Sequence, residues 1–209
     1  MEKLIQGLVK FKSEDFETYS DVFSDLKDKQ NPHTLFIGCS DSRVVPTLIT
    51  NAMPGELFLL RNIANIVPPY REDDQYFGTQ AVIEYAVNML NVENIVVCGH
   101  SNCGGCNSLL NYYNQDFSSI KSVKKWLSLG LPALERLNEI AKEKSLPVKE
   151  WMIEQLNIIE QIKNLLTYPY IAEKYKNKKI NIYGWYYLIE KGVIFNYNKE
   201  TNFFEPINL

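Results

Sequence analysis

Three short apolar runs constrain this chain more than any other feature: residues 34–38 (TLFIG), 57–60 (LFLL) and 94–98 (NIVVC). Each is bounded by turn-forming residues and reads as a strand buried on both faces, as in a parallel sheet. Such strands need helices over them. Residues 79–90 (TQAVIEYAVNML) are apolar on most sides and predict a buried helix between the second and third strands. The chain reads as helical again from about 120 to 166, with Gly130-Leu131-Pro132 and Leu146-Pro147 marking breaks. There Trp151, Ile158, Ile159, Ile162 and Leu166 form one stripe at helical spacing. Two strand-like runs, 180–188 and 193–197, joined near Glu190-Lys191-Gly192, predict a hairpin. The expectation is an α/β fold: a central, mostly parallel sheet flanked by helices, with an antiparallel edge strand. Residues 1–30 form an N-terminal helical arm, with Phe16, Tyr19, Phe23 and Leu26 on one face and a stop at Asn31-Pro32. With no repeat, low-complexity linker or boundary, residues 1–209 read as a single domain.

Composition narrows the function. A chain that is 45% hydrophobic and 22% charged is neither disordered nor collagen-like. Its net charge of −3 supplies no basic face for nucleic acid. No apolar stretch is long enough for a membrane span, and MEKLIQGLVKFKSEDF lacks a secretory signal, so a cytoplasmic protein is expected. All four cysteines (Cys39, Cys98, Cys103, Cys106) lie between residues 39 and 106, three of them within nine residues. A disulfide framework spreads its cysteines to close loops, so this clustering points to metal or redox chemistry.

Cys39 follows the first strand and His100 the third. In open parallel sheets ligands bind beyond the carboxyl ends of strands, where the winding direction switches. If the two strands are neighbours, Cys39 and His100 reach one rim, and Cys103 follows three residues after His100. Two thiolates and one imidazole make a Cys₂His set, used for catalytic zinc with an open fourth position; soft sulfur disfavours magnesium and calcium. Asp41 and Arg43, within CSDSR, could stand beside such an ion, the arginine holding the carboxylate through two parallel bonds. Cys98 reads as a small buried hydrophobe. Cys106 reads as a packed thiol, with a redox pair with Cys103 or a fourth ligand as alternatives. His33 reads as a surface residue, and Arg61 as a partner of a carboxylate such as Glu56 or as a substrate contact.

CSDSR followed some sixty residues later by GHSNCGG resembles the zinc signature of the β-class carbonic anhydrases. The match continues through PGELFLLRNIAN and YFGTQAVIEYAV and covers roughly residues 30–106. The resemblance implies one Zn²⁺ per chain on Cys39, His100 and Cys103, with Asp41 and Arg43 as a catalytic dyad. It implies reversible hydration of CO₂ to bicarbonate and a proton, by hydroxide on the metal. Gln30, Phe58, Ile63, Tyr85 and Gly104 match substrate-binding positions, with Ile63 standing where the family usually has valine. Phe36, three residues before Cys39, replaces the tryptophan of the closed site type; Gln30 and Val67-Pro68-Pro69-Tyr70 match the plant-like open type. A homodimer or homotetramer is implied as well. Alternatives are a hydrolase of CS₂ or COS on the same fold, and a non-catalytic protein with structural zinc.

Overall fold

The computed structural model describes residues 1–72, 76–145 and 147–207; Leu146 of the predicted break lies outside them. Six strands form one sheet in the order β2-β1-β3-β4-β5-β6. These are β1 (Thr34–Cys39), β2 (Leu57–Asn62), β3 (Asn94–His100), β4 (Asn181–Leu188), β5 (Val193–Asn198) and β6 (Phe203–Pro206). The first four run parallel, with Thr34 opposite both Leu57 and Asn94, and β3 in register with β4. β5 and β6 add antiparallel pairings at the edge. The hairpin was expected; β6 was not, because four residues ending in proline, with Phe203 70% exposed, carry no strand-like alternation.

Alternation along the central strands divides the core. Leu35, Ile37, Ile95 and Val97 face one way, against Ile158, Ile162 and Tyr168. Phe36, Val96 and Cys98 face the other, where Ile49, Trp185 and Tyr187 pack on them. β1 and β3 are buried on both faces as predicted, whereas β2 lies at the sheet edge and exposes Leu59.

The N-terminal arm comprises α1 (Glu2–Lys10), a π-helical turn (Phe11–Asp15) and α2 (Phe16–Leu26). It stops before Asn31-Pro32, and none of its residues is buried. Phe16 stacks on Phe23 at 5.7 Å. A short α3 (Pro46–Thr50) follows β1. The predicted helix of residues 79–90 is α4 (Phe77–Glu84) continued by a π-helical turn (Tyr85–Met89). It is buried on one side only: Ile83, Ala86 and Val87 face the core, while Phe77, Tyr85 and Met89 are exposed. The remaining helices are α5 (Gly104–Leu110), α6 (Lys121–Leu127), α7 (Leu131–Lys144), α8 (Glu150–Leu165) and α9 (Pro169–Lys176).

α8 corrects the predicted apolar stripe. Ile158 and Ile162 are buried as expected, but Trp151 is exposed and Ile159 only half-buried. The buried face also carries Glu154, Asn157, Gln161 and Asn164. These satisfy a loop that has no ladder of its own. Asn157 donates to the Ala64 carbonyl (2.8 Å), Gln161 accepts from the Val67 N–H (2.8 Å) and Asn164 donates to the Val67 carbonyl (2.9 Å). Buried backbone polar groups need partners, and here side chains supply them.

Candidate metal centre

β1 leads to β2 on one side of the sheet, and the chain then crosses to place β3 on the other. The carboxyl ends of β1 and β3 therefore border the switch point, and they carry Cys39 and His100. Asn102, in the left-handed conformation (φ 55°), turns the chain back after β3 so that Cys103 joins them; asparagine tolerates that conformation better than most residues. The ligating atoms of Cys39, His100 and Cys103 all lie within 4.8 Å of one another, and all three residues are buried.

The donor set fits zinc. A tetrahedral ion with metal–sulfur bonds of about 2.3 Å holds two sulfurs roughly 3.8 Å apart; the Cys39 and Cys103 Sγ atoms are 3.9 Å apart. His100 Nδ1 lies 3.0 Å from the Ser101 carbonyl. A carbonyl only accepts, so Nδ1 carries the proton and Nε2 presents a lone pair. That Nε2 is buried with no hydrogen-bond partner among the described residues. A buried polar atom so placed is costly unless something binds it. With no ion present, the hydrogen bond with Cys103 and burial push the Cys39 thiol up to about 12, and Cys103 is raised too by its neighbour Cys106. Cys106 lies outside the three-residue cluster, its sulfur accepting from Asn157 at 3.7 Å. Cys98 is fully buried, its thiol pushed up to about 12 by that burial.

Asp41 stands at the mouth, its Oδ2 3.9 Å from His100 Nε2. Arg43 occupies both carboxylate oxygens: its N–H and Nε donate to Oδ1 (3.0 and 2.9 Å) and its Nη2 to Oδ2 (2.8 Å). The Arg43 side-chain hydrogen bonds hold the Asp41 carboxyl well below the usual carboxylate range. Arg61 corrects its predicted pairing with Glu56. It donates instead to the Cys39 and Asp41 carbonyls (3.0 and 2.7 Å), while Glu56 accepts from the Met53 N–H. The arginine thereby fixes the backbone of the CSDSR segment, a role that no side-chain pattern announces.

The positions expected to bind substrate divide into two groups. Gly104 begins α5 beside Cys103, and nothing lies within 4 Å of where a Cβ would stand. Ile63 packs over the next residue, its Cγ2 3.0 Å from an added Gly105 Cβ. Gln30, Phe58 and Tyr85 are elsewhere. Phe58 pairs with Leu35, four residues before Cys39 along β1, or about 13 Å at the usual strand rise. Tyr85 stacks on Phe58 at 5.9 Å, and Gln30 precedes β1 altogether. His33 is exposed, with its Nδ1 2.6 Å from Thr34 Oγ1.

Glu154 was not anticipated. It is 2% exposed, and it accepts hydrogen bonds from the Cys103 N–H (2.9 Å) and the Tyr186 hydroxyl (2.7 Å). Burial raises its carboxyl pKa. Its place on α8, amid apolar neighbours, gave only a charge in an otherwise buried pattern as a signal.

A mostly parallel sheet with two thiols and an imidazole at its switch point defines an α/β protein with a candidate metal centre at the sheet rim. Comparison with known proteins gives the family. The carbonic anhydrase family model matches residues 34–194. A carbonic anhydrase of Helicobacter pylori (strain J99) is 40% identical over 204 residues, 96% of this chain and 92% of that protein. One from Pseudomonas aeruginosa is 39% identical over 194 residues, 93% and 86% of the two chains. Among solved structures, the β-carbonic anhydrase CcaA superposes with a TM-score of 0.92 at 36% identity, covering 100% of this chain and 92% of its own. A tetrameric β-carbonic anhydrase of Sordaria macrospora gives 0.79 at 32%, covering 93% and 95%. The chain belongs to the β-carbonic anhydrase family of enzymes. Among the described residues no helix is long and apolar enough to cross a membrane.

Proposed function

We propose that this chain, acting as one domain, catalyses reversible hydration of CO₂ to bicarbonate and a proton with one zinc ion on Cys39, His100 and Cys103. The carrying observation is the buried Cys₂His cluster with an arginine-clamped carboxylate 3.9 Å from the free imidazole nitrogen. When bound, the ion supplies a Lewis acid that makes water nucleophilic near neutral pH, a property for which zinc in carbonic anhydrases is itself the standard illustration. The residues around it do the rest. The Ser101 carbonyl fixes the His100 tautomer. Asp41, kept ionised by Arg43, accepts the proton of the attacking water in a hydrogen bond and so aims its lone pair at the substrate. Because both Asp41 oxygens are engaged by Arg43, this carboxylate would be withheld from an ion on Cys39, His100 and Cys103, which favours the open site type. Ile63 offers CO₂ an apolar wall, and the open space beside the Gly104 Cα gives bicarbonate room to approach its N–H.

Gln30, Phe58 and Tyr85 reach this site only from a second copy, which makes the working unit a homodimer or a pair of dimers. Two surfaces support that reading. α1 exposes Leu4, Ile5, Leu8 and Val9, and the α4 region exposes Phe77, Tyr85 and Met89. The described Sordaria relative is tetrameric. Sedimentation of the active protein at the 24.2 kDa of one chain overturns this assembly. Two thiol ligands that must stay reduced suit a cytoplasmic setting. The deciding assay is stopped-flow CO₂ hydration on a sample whose zinc is quantified. About one zinc per chain with rapid, chelator-sensitive hydration is expected; stoichiometric zinc without hydration above pH 8 overturns the function.

A further inference from the structure

We infer that Glu154 and Tyr186 are positioning residues of the metal centre, acting through the single peptide group that joins Asn102 to Cys103. The inference deepens the zinc reading above and rests on it. That peptide is gripped from both sides. Its carbonyl, on Asn102, accepts from Arg43 Nη2 at 3.0 Å, and its N–H, on Cys103, donates to Glu154 Oε1 at 2.9 Å. A guanidinium on the oxygen and a carboxyl on the N–H fix the rotation of the peptide plane. The plane sets the backbone angle from which the Cys103 side chain projects, and hence where Sγ points. Tyr186 completes the grip: its hydroxyl holds Glu154 Oε2 at 2.7 Å, and its Cα pairs with Gly99, the residue before His100. Glu154 is thus tied to both limbs of the His-x-x-Cys segment.

The cost of this arrangement argues against a role in packing alone. Glu154 is 2% exposed and Tyr186 5%. A buried carboxyl is expensive to desolvate, and a well-packed apolar residue of similar volume is often neutral or more stable in its place. The carboxyl contributes what an apolar residue lacks, a directed acceptor for the Cys103 N–H. Arg43 meanwhile serves both ends of the site. The same Nη2 that binds Asp41 also binds the Asn102 carbonyl, so the dyad and the Cys103 limb share one anchor.

The test compares full-length wild type with Glu154→Ala, Glu154→Gln and Tyr186→Phe, each checked for folding by circular dichroism. Zinc release to a chromogenic chelator is timed, and the thiolate-to-metal charge-transfer band of the Co²⁺-loaded protein is recorded. Loss of an outer-shell partner of a ligand typically costs 10–100-fold in metal affinity. Glu154→Ala is expected to release zinc about 10–100-fold faster, with a shifted or weakened cobalt band. Tyr186→Phe should move both readings the same way by less. Glu154→Gln, which keeps a carbonyl acceptor, should fall between wild type and Glu154→Ala. Should Glu154→Ala fail to fold, Glu154→Gln and Tyr186→Phe decide. Folded variants with wild-type release and an unchanged cobalt band overturn the inference while leaving the zinc reading intact. A wild-type protein that takes up no metal overturns the zinc reading and this inference with it.

Discussion

Adjacent glycines at the start of α5 should respond to alanine in opposite directions. At Gly105 an added Cβ stands 2.9 Å from the Ala64 Cβ, 3.0 Å from Ile63 Cγ2 and 3.2 Å from the Ala64 backbone nitrogen. Ordinary carbon contacts are about 3.5–4.0 Å, so something must retreat by roughly 0.5–1 Å. Ala64 is poorly able to do so: it is fully buried, in the left-handed conformation (φ 60°), and its carbonyl is held by Asn157 at 2.8 Å. Overpacking of this kind costs about 1–3 kcal/mol, against which alanine's better helix propensity returns about 0.5–1 kcal/mol. The net loss lies between about 0 and 2.5 kcal/mol, and at about 2–4 °C per kcal/mol for a chain of this size Tm falls by up to about 10 °C. At Gly104 nothing lies within 4 Å. The propensity gain is then unopposed, and Tm rises by about 1–4 °C. Calorimetry on the two zinc-loaded variants decides. The same Gly104→Ala methyl enters the open space beside Cys103, so kcat/KM for CO₂ should fall although the protein is no less stable. A Gly105→Ala protein that melts at or above Gly104→Ala refutes the argument that the close approach of the 63–64 turn builds this side of the site.

Arg43→Ala should cut CO₂ hydration about a hundredfold, the usual consequence of misplacing a reacting group by an ångström, with zinc still bound. Arg43→Lys should not restore it, since an ammonium cannot span both carboxylate oxygens; full activity in either variant, by stopped flow, contradicts the dyad. The depressed Asp41 pKa gives the pair a stabilising contribution that is complete above the unfolded value of about 3.9 and is lost as pH falls through the folded value. The Tm gap between wild type and Asp41→Asn should therefore hold constant from pH 7 to about 5 and close in stronger acid; a gap that widens in acid reverses the sign. Because the Cys39 and Cys103 thiols are both raised in the absence of metal, zinc uptake at pH 7 should release about two protons per ion. Calorimetric titration in buffers of differing ionisation enthalpy measures that number, and a value near zero excludes thiolate ligation.

The parts of the molecule legible in the sequence are those whose signals are local. The runs at 34–38 and 94–98 are short, apolar and uninterrupted because β1 and β3 lie in the middle of the sheet. Cys39 and His100 could be placed because each closely follows such a run, and Cys103 because it comes three residues after His100. β2 resembles them in sequence but lies at the edge, and nothing in LFLL separates a central strand from an edge strand. Only its neighbours do. The helix at 79–90 misled for a related reason: apolar residues on most sides read as buried in one chain, whereas Phe77, Tyr85 and Met89 are left exposed, as surface for a second copy would be.

Polar residues inside the core defeated periodicity more thoroughly. Hydrophobic spacing assumes that the buried face of a helix is apolar, and α8 buries Glu154, Asn157, Gln161 and Asn164. Their partners are backbone groups 51 to 97 residues away in sequence, so no window along the chain contains both halves of any of these bonds. The loops they hold carry Ile63, Ala64 and Cys103, the parts of the site that the sheet itself does not position. Division of labour follows from the physics: the sheet brings Cys39 and His100 together by strand pairing, which leaves a periodic trace. The turns that complete the site lack ladders of their own and depend on side chains from a helix far along the chain, which leave none.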